Sequence, residues 1–253
     1  MSKKIRIIAR LDIKGSNVIK GIQLEGLRVV GKPEVLAPKY YLQGADEILY
    51  IDAVASLYER ENLLDIVRTT AEKTFVPITA GGGIRSIDDI KNFLRAGADK
   101  VAINRAAIRN PQLIKESAQI FGSQCIVVSV EAKKRTQNYW EAYTDNGREK
   151  TGLSVLDWVK QAVNMGAGEI LLTSVDKEGM KKGFDLELLR RVSSVVNVPI
   201  IISGGAGNID HIKDVISGGP DAVAVASILH YGKYSISDIK QGLSEDGINV
   251  RLK

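Results

Sequence analysis

The chain reads as an α/β protein, a single (β/α)8 TIM barrel with a twofold half-barrel internal repeat. Three observations predict this. Eight short β-branched runs alternate with longer segments of helical period. The length, 253 residues, matches the roughly 250 typical of one such barrel. Segments of the first half return in order in the second. Gly44-Ala-Asp-Glu-Ile-Leu-Tyr reappears as Gly166-Ala-Gly-Glu-Ile-Leu-Leu, and Ala98-Asp-Lys-Val-Ala-Ile-Asn as Pro220-Asp-Ala-Val-Ala-Val-Ala, each 122 positions on. Gly81 of Thr79-Ala-Gly-Gly-Gly-Ile matches Gly204 of Ile202-Ser-Gly-Gly-Ala-Gly, and Leu11-Asp12-Ile13-Lys14 matches Val130-Glu131-Ala132-Lys133. The expected domain is the whole chain, 1–253, with half-barrels at about 1–122 and 123–253.

The strands are expected near Ile5–Asp12, Glu47–Ala53, Val76–Ala80, Asp99–Asn104, Cys125–Glu131, Gly168–Ser174, Pro199–Ser203 and Asp221–Ala226. Between most of them lie helix-period apolar residues, such as Ile87, Ile90, Phe93 and Leu94. The segment from about Ile13 to Lys39 is long, basic and punctuated by glycine. It reads as a mobile lid at the rim, with Lys14, Lys20 and Arg28 facing an anionic substrate.

Composition narrows the function classes. Hydrophobic residues make up 44% of the chain and charged residues 26%, which supports a soluble core. The net charge of +5 suits an anionic substrate but is too small for a nucleic-acid stripe. No apolar run is long enough to span a membrane. One cysteine, Cys125, excludes an internal disulfide framework. Met1–Lys4 runs straight into the first strand without a visible leader, so a cytoplasmic protein is expected. Two histidines, His211 and His230, leave no His-rich metal site, and both are expected to be ordinary rim or surface residues. No metal and no organic cofactor are expected.

Strand parity places Arg6, Ile8, Arg10 and Asp12 on one face of the first strand, and Cys125, Val127, Ser129 and Glu131 on one face of the fifth. Asp12 and Glu131 end their strands at the C-terminal rim, where barrel active sites lie. Two carboxylates across a pocket are equipment for general acid/base chemistry, although either could cap a loop instead. Arg10, one layer below Asp12, needs a partner, and Asp12 or Glu131 are the nearby candidates. At the opposite end Arg6, Glu47, Lys100 and Glu169 start four strands. They form either a neutral ring or an ordinary solvated face. Gly82-Gly83 and Gly204-Gly205 follow the third and seventh strands, and Asn104-Arg105 and Ala226-Ser227 end the fourth and eighth. Glycine turns and helix N-termini in these positions point to two phosphate sites and an elongated bis-phosphate.

Ile7-Ile8-Ala9-x-Leu11-Asp12, Val18-Ile19-Lys20-Gly21, Gly82-Gly83-Ile84, Phe121-Gly122-Ser123-Gln124, Gly168-Glu169-Ile170-Leu171-Leu172-Thr173-Ser174, Ser203-Gly204-Gly205-Ala206-Gly207 and Gly247-Ile248-Asn249-Val250-Arg251 carry a resemblance that runs nearly end to end. The chain resembles the cyclase subunits of imidazole glycerol phosphate synthase, from histidine biosynthesis. That resemblance implies a lyase-type synthase with a glutaminase partner on the barrel bottom. Ammonia would cross the lumen to attack a bis-phosphorylated ribulosyl carboxamide. It implies Asp12 and Glu131 as catalytic acids, Arg6, Glu47, Lys100 and Glu169 as an ammonia gate, and Asp99 at the partner interface. The candidate substrate- and phosphate-binding set is Lys20, Gly82, Gly83, Asn104, Arg105, Thr173, Gly179, Gly204, Gly205, Ala226 and Ser227.

The chain departs from the family pattern at several points. Glu131 stands where the second acid is normally Asp, and Arg105 where a phosphate-binding Thr is usual. Met180 replaces a hydroxyl residue, Glu178 an Asp, and Arg10 a small lumen residue. An alternative reading is therefore an ammonia-using relative that amidates a nucleotide-linked sugar for surface glycans. Another is a weak catalyst that mainly binds or activates the glutaminase.

Overall fold

The computed structural model describes residues 3–54 and 61–252. In chain order its elements are β1 (Arg6–Lys14), β2 (Asn17–Ile22), β3 (Glu25–Gly31), α1 (Pro33–Leu42), β4 (Glu47–Asp52), α2 (Glu61–Ala71), β5 (Ile78–Gly81), α3 (Ile87–Arg95), β6 (Lys100–Ile103), α4 (Arg105–Arg109) and α5 (Gln112–Phe121). They continue with β7 (Ile126–Thr136), β8 (Tyr139–Thr144), β9 (Glu149–Ser154), α6 (Val155–Asn164), β10 (Glu169–Ser174), α7 (Leu186–Ser193), β11 (Ile200–Ser203), α8 (Ile209–Ile216), β12 (Ala222–Val225), α9 (Ser227–His230) and α10 (Ile236–Glu245).

Eight strands pair in parallel in the circuit β1, β4, β5, β6, β7, β10, β11, β12 and back to β1. These are the eight expected from the β-branched runs, and they close the barrel. Alternation along β1 explains how. Ile7, Ala9, Leu11 and Ile13 point outward into the shell between barrel and helices. Ile8 points inward and joins Leu49, Ala102, Val127, Leu171, Ile201, Ala222 and Ala224 in a second apolar cluster that fills the lumen, with Ile51 against it. The lumen is thus a packed core with charge only at its two ends. Side-chain caps start several helices. Ser86 and Asp89 form a reciprocal capping box on α3, and Ser235 and Asp238 form another on α10.

The two halves repeat in detail. Both β1 and β7 overrun the barrel and continue into an antiparallel pair, β2–β3 and β8–β9. Asn104 (φ −118°, ψ −90°) and Ala226 (φ −134°, ψ −78°) share an uncommon backbone conformation at the starts of α4 and α9. Asp99 and Asp221 each accept the first backbone N–H of the preceding barrel strand, from Ile78 at 2.8 Å and Ile200 at 2.9 Å.

One expectation needs correction. The Ile13–Lys39 segment is not an irregular lid. It is the end of β1, the β2–β3 hairpin and the first turns of α1. The hairpin is docked: the Gln23 N–H donates to the Glu178 carbonyl at 2.7 Å. Gly179, at φ +70°, packs where a Cβ would lie 2.3 Å from the Gly21 carbonyl oxygen. Cys125 lies in a short 3-10 turn just ahead of β7, not on the strand. Among the described residues, no helix is long and apolar enough to cross a membrane.

Candidate active site

At the N-terminal end of the barrel the four charged residues form a closed ring. Arg6 Nη1 donates to Glu47 Oε2 at 2.9 Å and Arg6 Nη2 to Glu169 Oε1. Lys100 Nζ donates to Glu47 Oε2 and Glu169 Oε2, both at 2.8 Å. Cation and anion alternate, so each charge has two opposite neighbours. Glu47 also accepts from the Thr79 hydroxyl. The solvated-face alternative fails here, because Glu47 is 1% and Glu169 5% exposed. Asp99 is exposed on the same end.

The C-terminal end holds the two candidate acids in contrasting surroundings. Asp12 is buried with both oxygens engaged. Oδ1 accepts from Arg10 Nε at 2.8 Å and Oδ2 from Lys20 Nζ at 2.9 Å. Burial by itself would raise its pKa, but the Arg10 and Lys20 charges outweigh burial and hold the carboxyl well below the usual carboxylate range. Glu131, half-buried in the opposite half-barrel, accepts from the Gly147 N–H through Oε2 at 2.8 Å, and the Asn104 side chain also bonds its carboxyl. Burial pushes Glu131 up to about 7, against the pull of Gly147 and Arg10. One acid is a fixed carboxylate and the other holds a proton near neutrality. That separation is what assigns distinct acid and base roles to paired carboxyls.

Arg10 ties this end together. It is 4% exposed, pairs with Asp12 and not Glu131, and its Nη1 donates to Thr173 Oγ1 and Ser203 Oγ, both at 3.0 Å. Lys20 was expected at the rim facing an anion. It is instead 3% exposed and bonded to both Asp12 and Glu178. Burying Lys20 beside Asp12 requires a second carboxylate, and Glu178 supplies it.

Two cavities open at this end. One, of about 440 Å³, lies mostly over the first half. Ile51, Gly82, Gly83, Ala102, Asn104, Arg105, Ser129, Glu131 and Asp145 are among its lining residues. The other, of about 470 Å³, is lined by residues including Lys20, Arg28, Gly179, Lys181, Ser227 and Tyr231. Gly82, at φ +112°, admits no side chain, because a Cβ would lie 2.7 Å from the Asp52 carbonyl oxygen. Gly204, Gly205 and Ala226 line neither cavity. Gly204 and Gly205 pack under the β10–α7 turn, against Ser174 and Gly183. Thr173 is spent on Arg10. Arg105 Nη1 sits 3.0 Å from Asp145 Oδ2, so its charge is already partnered.

Sequence reasoning missed Ser203 and Asp145. Strand parity could have found Ser203, two positions beyond the lumen-facing Ile201. Asp145 sits in the turn of the β8–β9 hairpin, and only the fold brings it to Arg105. His230 lies beneath the rim with Nδ1 2.8 Å from the Tyr40 hydroxyl. Burial, aided by the Lys20 charge, lowers its pKa to about 4, so it stays neutral. Among the described residues, no group of three His, Cys, Asp or Glu is placed to hold a metal ion.

A family model described as "Histidine biosynthesis protein" matches residues 6–235. Imidazole glycerol phosphate synthase subunit HisF of Legionella pneumophila is 62% identical over 209 residues, which cover 83% of this chain and 99% of that one. The subunit of the same name from Streptococcus mutans is 50% identical over 249 residues, covering 98% and 99% of the two chains. That of Thermobifida fusca is 48% identical over 256 residues, covering 99% and 100%.

Proposed function

The chain belongs to the histidine biosynthesis protein family, and from that premise we propose that it is the ammonia-using cyclase subunit of an imidazole glycerol phosphate synthase. It is read as a soluble, cytoplasmic enzyme that works with a glutaminase. The observation that carries the proposal is a pairing of ends. A neutral charged ring closes one end of the lumen, and two carboxyls of opposite protonation preference stand at the other.

In this reading the glutaminase docks on the ring end, beside Asp99, and ammonia enters when the Arg6–Glu47–Lys100–Glu169 ring opens. It crosses the apolar lumen as the neutral species. A bis-phosphorylated ribulosyl aminoimidazole carboxamide lies across the rim, one phosphate in each cavity. Gly82, Gly83, Asn104 and Arg105 serve one phosphate. Gly179 and Ser227, backed by Gly204, Gly205 and Ala226, serve the other. Glu131 carries a proton near neutral pH and gives it to the carbonyl oxygen as ammonia adds. It recovers a proton from the added nitrogen, gives it to the hydroxyl as water leaves, and is reprotonated by the iminium nitrogen that results. Asp12 stays ionised and faces the positive charge that develops on nitrogen. Lys20 and Thr173 hold the groups around Asp12 in place. The reading takes residues 1–122 and 123–253 as equivalent halves, each contributing one acid and one phosphate site.

A specific observation favours a second reading. The Arg10–Asp12 and Arg105–Asp145 pairs occupy groups that a bis-phosphate substrate would use. They fit a relative that aminates another acceptor, such as a nucleotide-linked sugar. The test is product identity: ammonium and the ribulosyl carboxamide bis-phosphate are supplied, and imidazole glycerol phosphate is sought.

A further inference from the structure

The top of the lumen is closed unequally. Strands β10, β11, β12 and β1 are consecutive around the barrel. The Arg10 guanidinium spans them, reaching from β1 to Thr173 on β10 and Ser203 on β11. Moving it breaks three buried hydrogen bonds, one of them to a carboxylate. Over β5, β6 and β7 the corresponding lumen-facing residues are Gly81, Ala102 and Ser129, all small. A Cβ on Gly81 would stand 2.8 Å from the Ala102 Cβ and 3.0 Å from Ile51 Cδ1, so Gly81, Ala102 and Ile51 meet there and only a residue without a side chain fits between the other two.

A second, independent observation marks the same side. The 440 Å³ cavity has Ile51, Ala102 and Ser129 in its lining, with Glu131 beside them. Ala102 belongs to the apolar lumen cluster and Ile51 packs on it. This cavity therefore reaches the lumen core. The 470 Å³ cavity shares no residue with that cluster.

We propose that Arg10 closes the half of the lumen mouth beneath Asp12, so that ammonia leaves the barrel past Ala102 and Ser129, on the Glu131 side. The inference rests on the ammonia-using reading above. It adds a direction: nitrogen is delivered to the face of the substrate next to the protonated acid, and Asp12 is screened from the lumen. Arg10 is a positioning residue in this scheme, since it acts through the route it leaves open. Ammonia is neutral and about as small as water, so methyl-lined walls let it pass. The guanidinium, held by three hydrogen bonds, occupies the space on the other side.

The test uses the complex with the glutaminase and reads one ratio, glutamine-driven over ammonium-driven turnover. Losses in chemistry common to both cancel in that ratio. Ala102 and Ala224 occupy equivalent lumen positions in the two halves. Ala102→Leu is expected to lower the ratio by about tenfold or more, and Ala224→Leu by less than about threefold. Adding Arg10→Ala to Ala102→Leu opens the other half and should restore the ratio, which a merely structural defect would not do. Ala102→Val repeats the test with less overpacking should the leucine variant not fold. Equal falls at both alanines, or no rescue, overturn the inference while the reading stands. A parent complex that turns over with neither nitrogen source sinks the reading and the inference together.

Discussion

Arg10 and Asp12 stand two residues apart on one barrel strand, and Arg10 Nε donates to Asp12 Oδ1 at 2.8 Å inside the lumen mouth. Lys20 holds the other oxygen, so Asp12 is an ionised group at any working pH. Asp12→Asn keeps the shape but leaves Arg10 and Lys20 without the carboxylate that pairs them both. Ammonia-dependent turnover should fall by at least about 10²-fold. Steady-state rates with saturating ammonium check this, and unchanged turnover removes Asp12 from the chemistry.

Glu131 sets a pH dependence of the opposite sense. Its folded-state pKa, about 7, lies above the ordinary value of 4.5. The stability it contributes is therefore complete below the unfolded value and is lost as pH rises through about 7. Between pH 5 and 8 the parent should lose thermal stability relative to Glu131→Gln, by several degrees. In the proposed role as acid, kcat should fall on the alkaline side of pH about 7. Melting curves and a pH–rate profile test the two limbs. Parallel melting trends in both proteins would contradict the buried-acid account.

Arg105 and Asp145 form a pair at the cavity edge, with the arginine side chain 31% exposed. A partly exposed pair contributes only about 0–1 kcal/mol, so Asp145→Asn should barely move the melting temperature. It frees the guanidinium for a phosphate, and KM should fall several-fold with little change in kcat. A rise in KM would mean that Asp145 orients Arg105 productively instead of competing with the substrate.

At the other end, Lys100→Met leaves Glu47 and Glu169 sharing Arg6 alone. Breaking a buried pair on one side costs about 3–5 kcal/mol, which chemical denaturation should register. Glutamine-driven turnover should drop more than ammonium-driven turnover. Equal effects on both would show that the ring is structural only.

The barrel was legible because its signals are local and repeated. Each inner strand is a short β-branched run, eight in all, and the 122-residue offset divides them into two sets of four. The hairpins were not legible. Asn17–Gly31 is rich in glycine and charge; β2 pairs with the overrunning β1, and its outer partner β3 is largely exposed and is made by pairing with β2, not by a buried face of its own. Parity correctly put Arg10 beside Asp12. It could not choose between Asp12 and Glu131 as the partner, since that depends on side-chain reach across the lumen. It missed the Lys20–Glu178 and Arg105–Asp145 pairs for the same reason. The partners lie 158 and 40 residues apart in sequence, and only the closed barrel brings them together.

The central claim is that this chain uses ammonia to build imidazole glycerol phosphate from the bis-phosphorylated ribulosyl carboxamide. The most direct measurement is the product formed by the purified chain with ammonium and that substrate, read by mass spectrometry beside the Asp12→Asn variant. The account predicts imidazole glycerol phosphate and the aminoimidazole carboxamide nucleotide from the parent, and neither from the variant. Unconsumed substrate with the parent, alongside ammonium-dependent amination of a nucleotide-linked sugar, would contradict it.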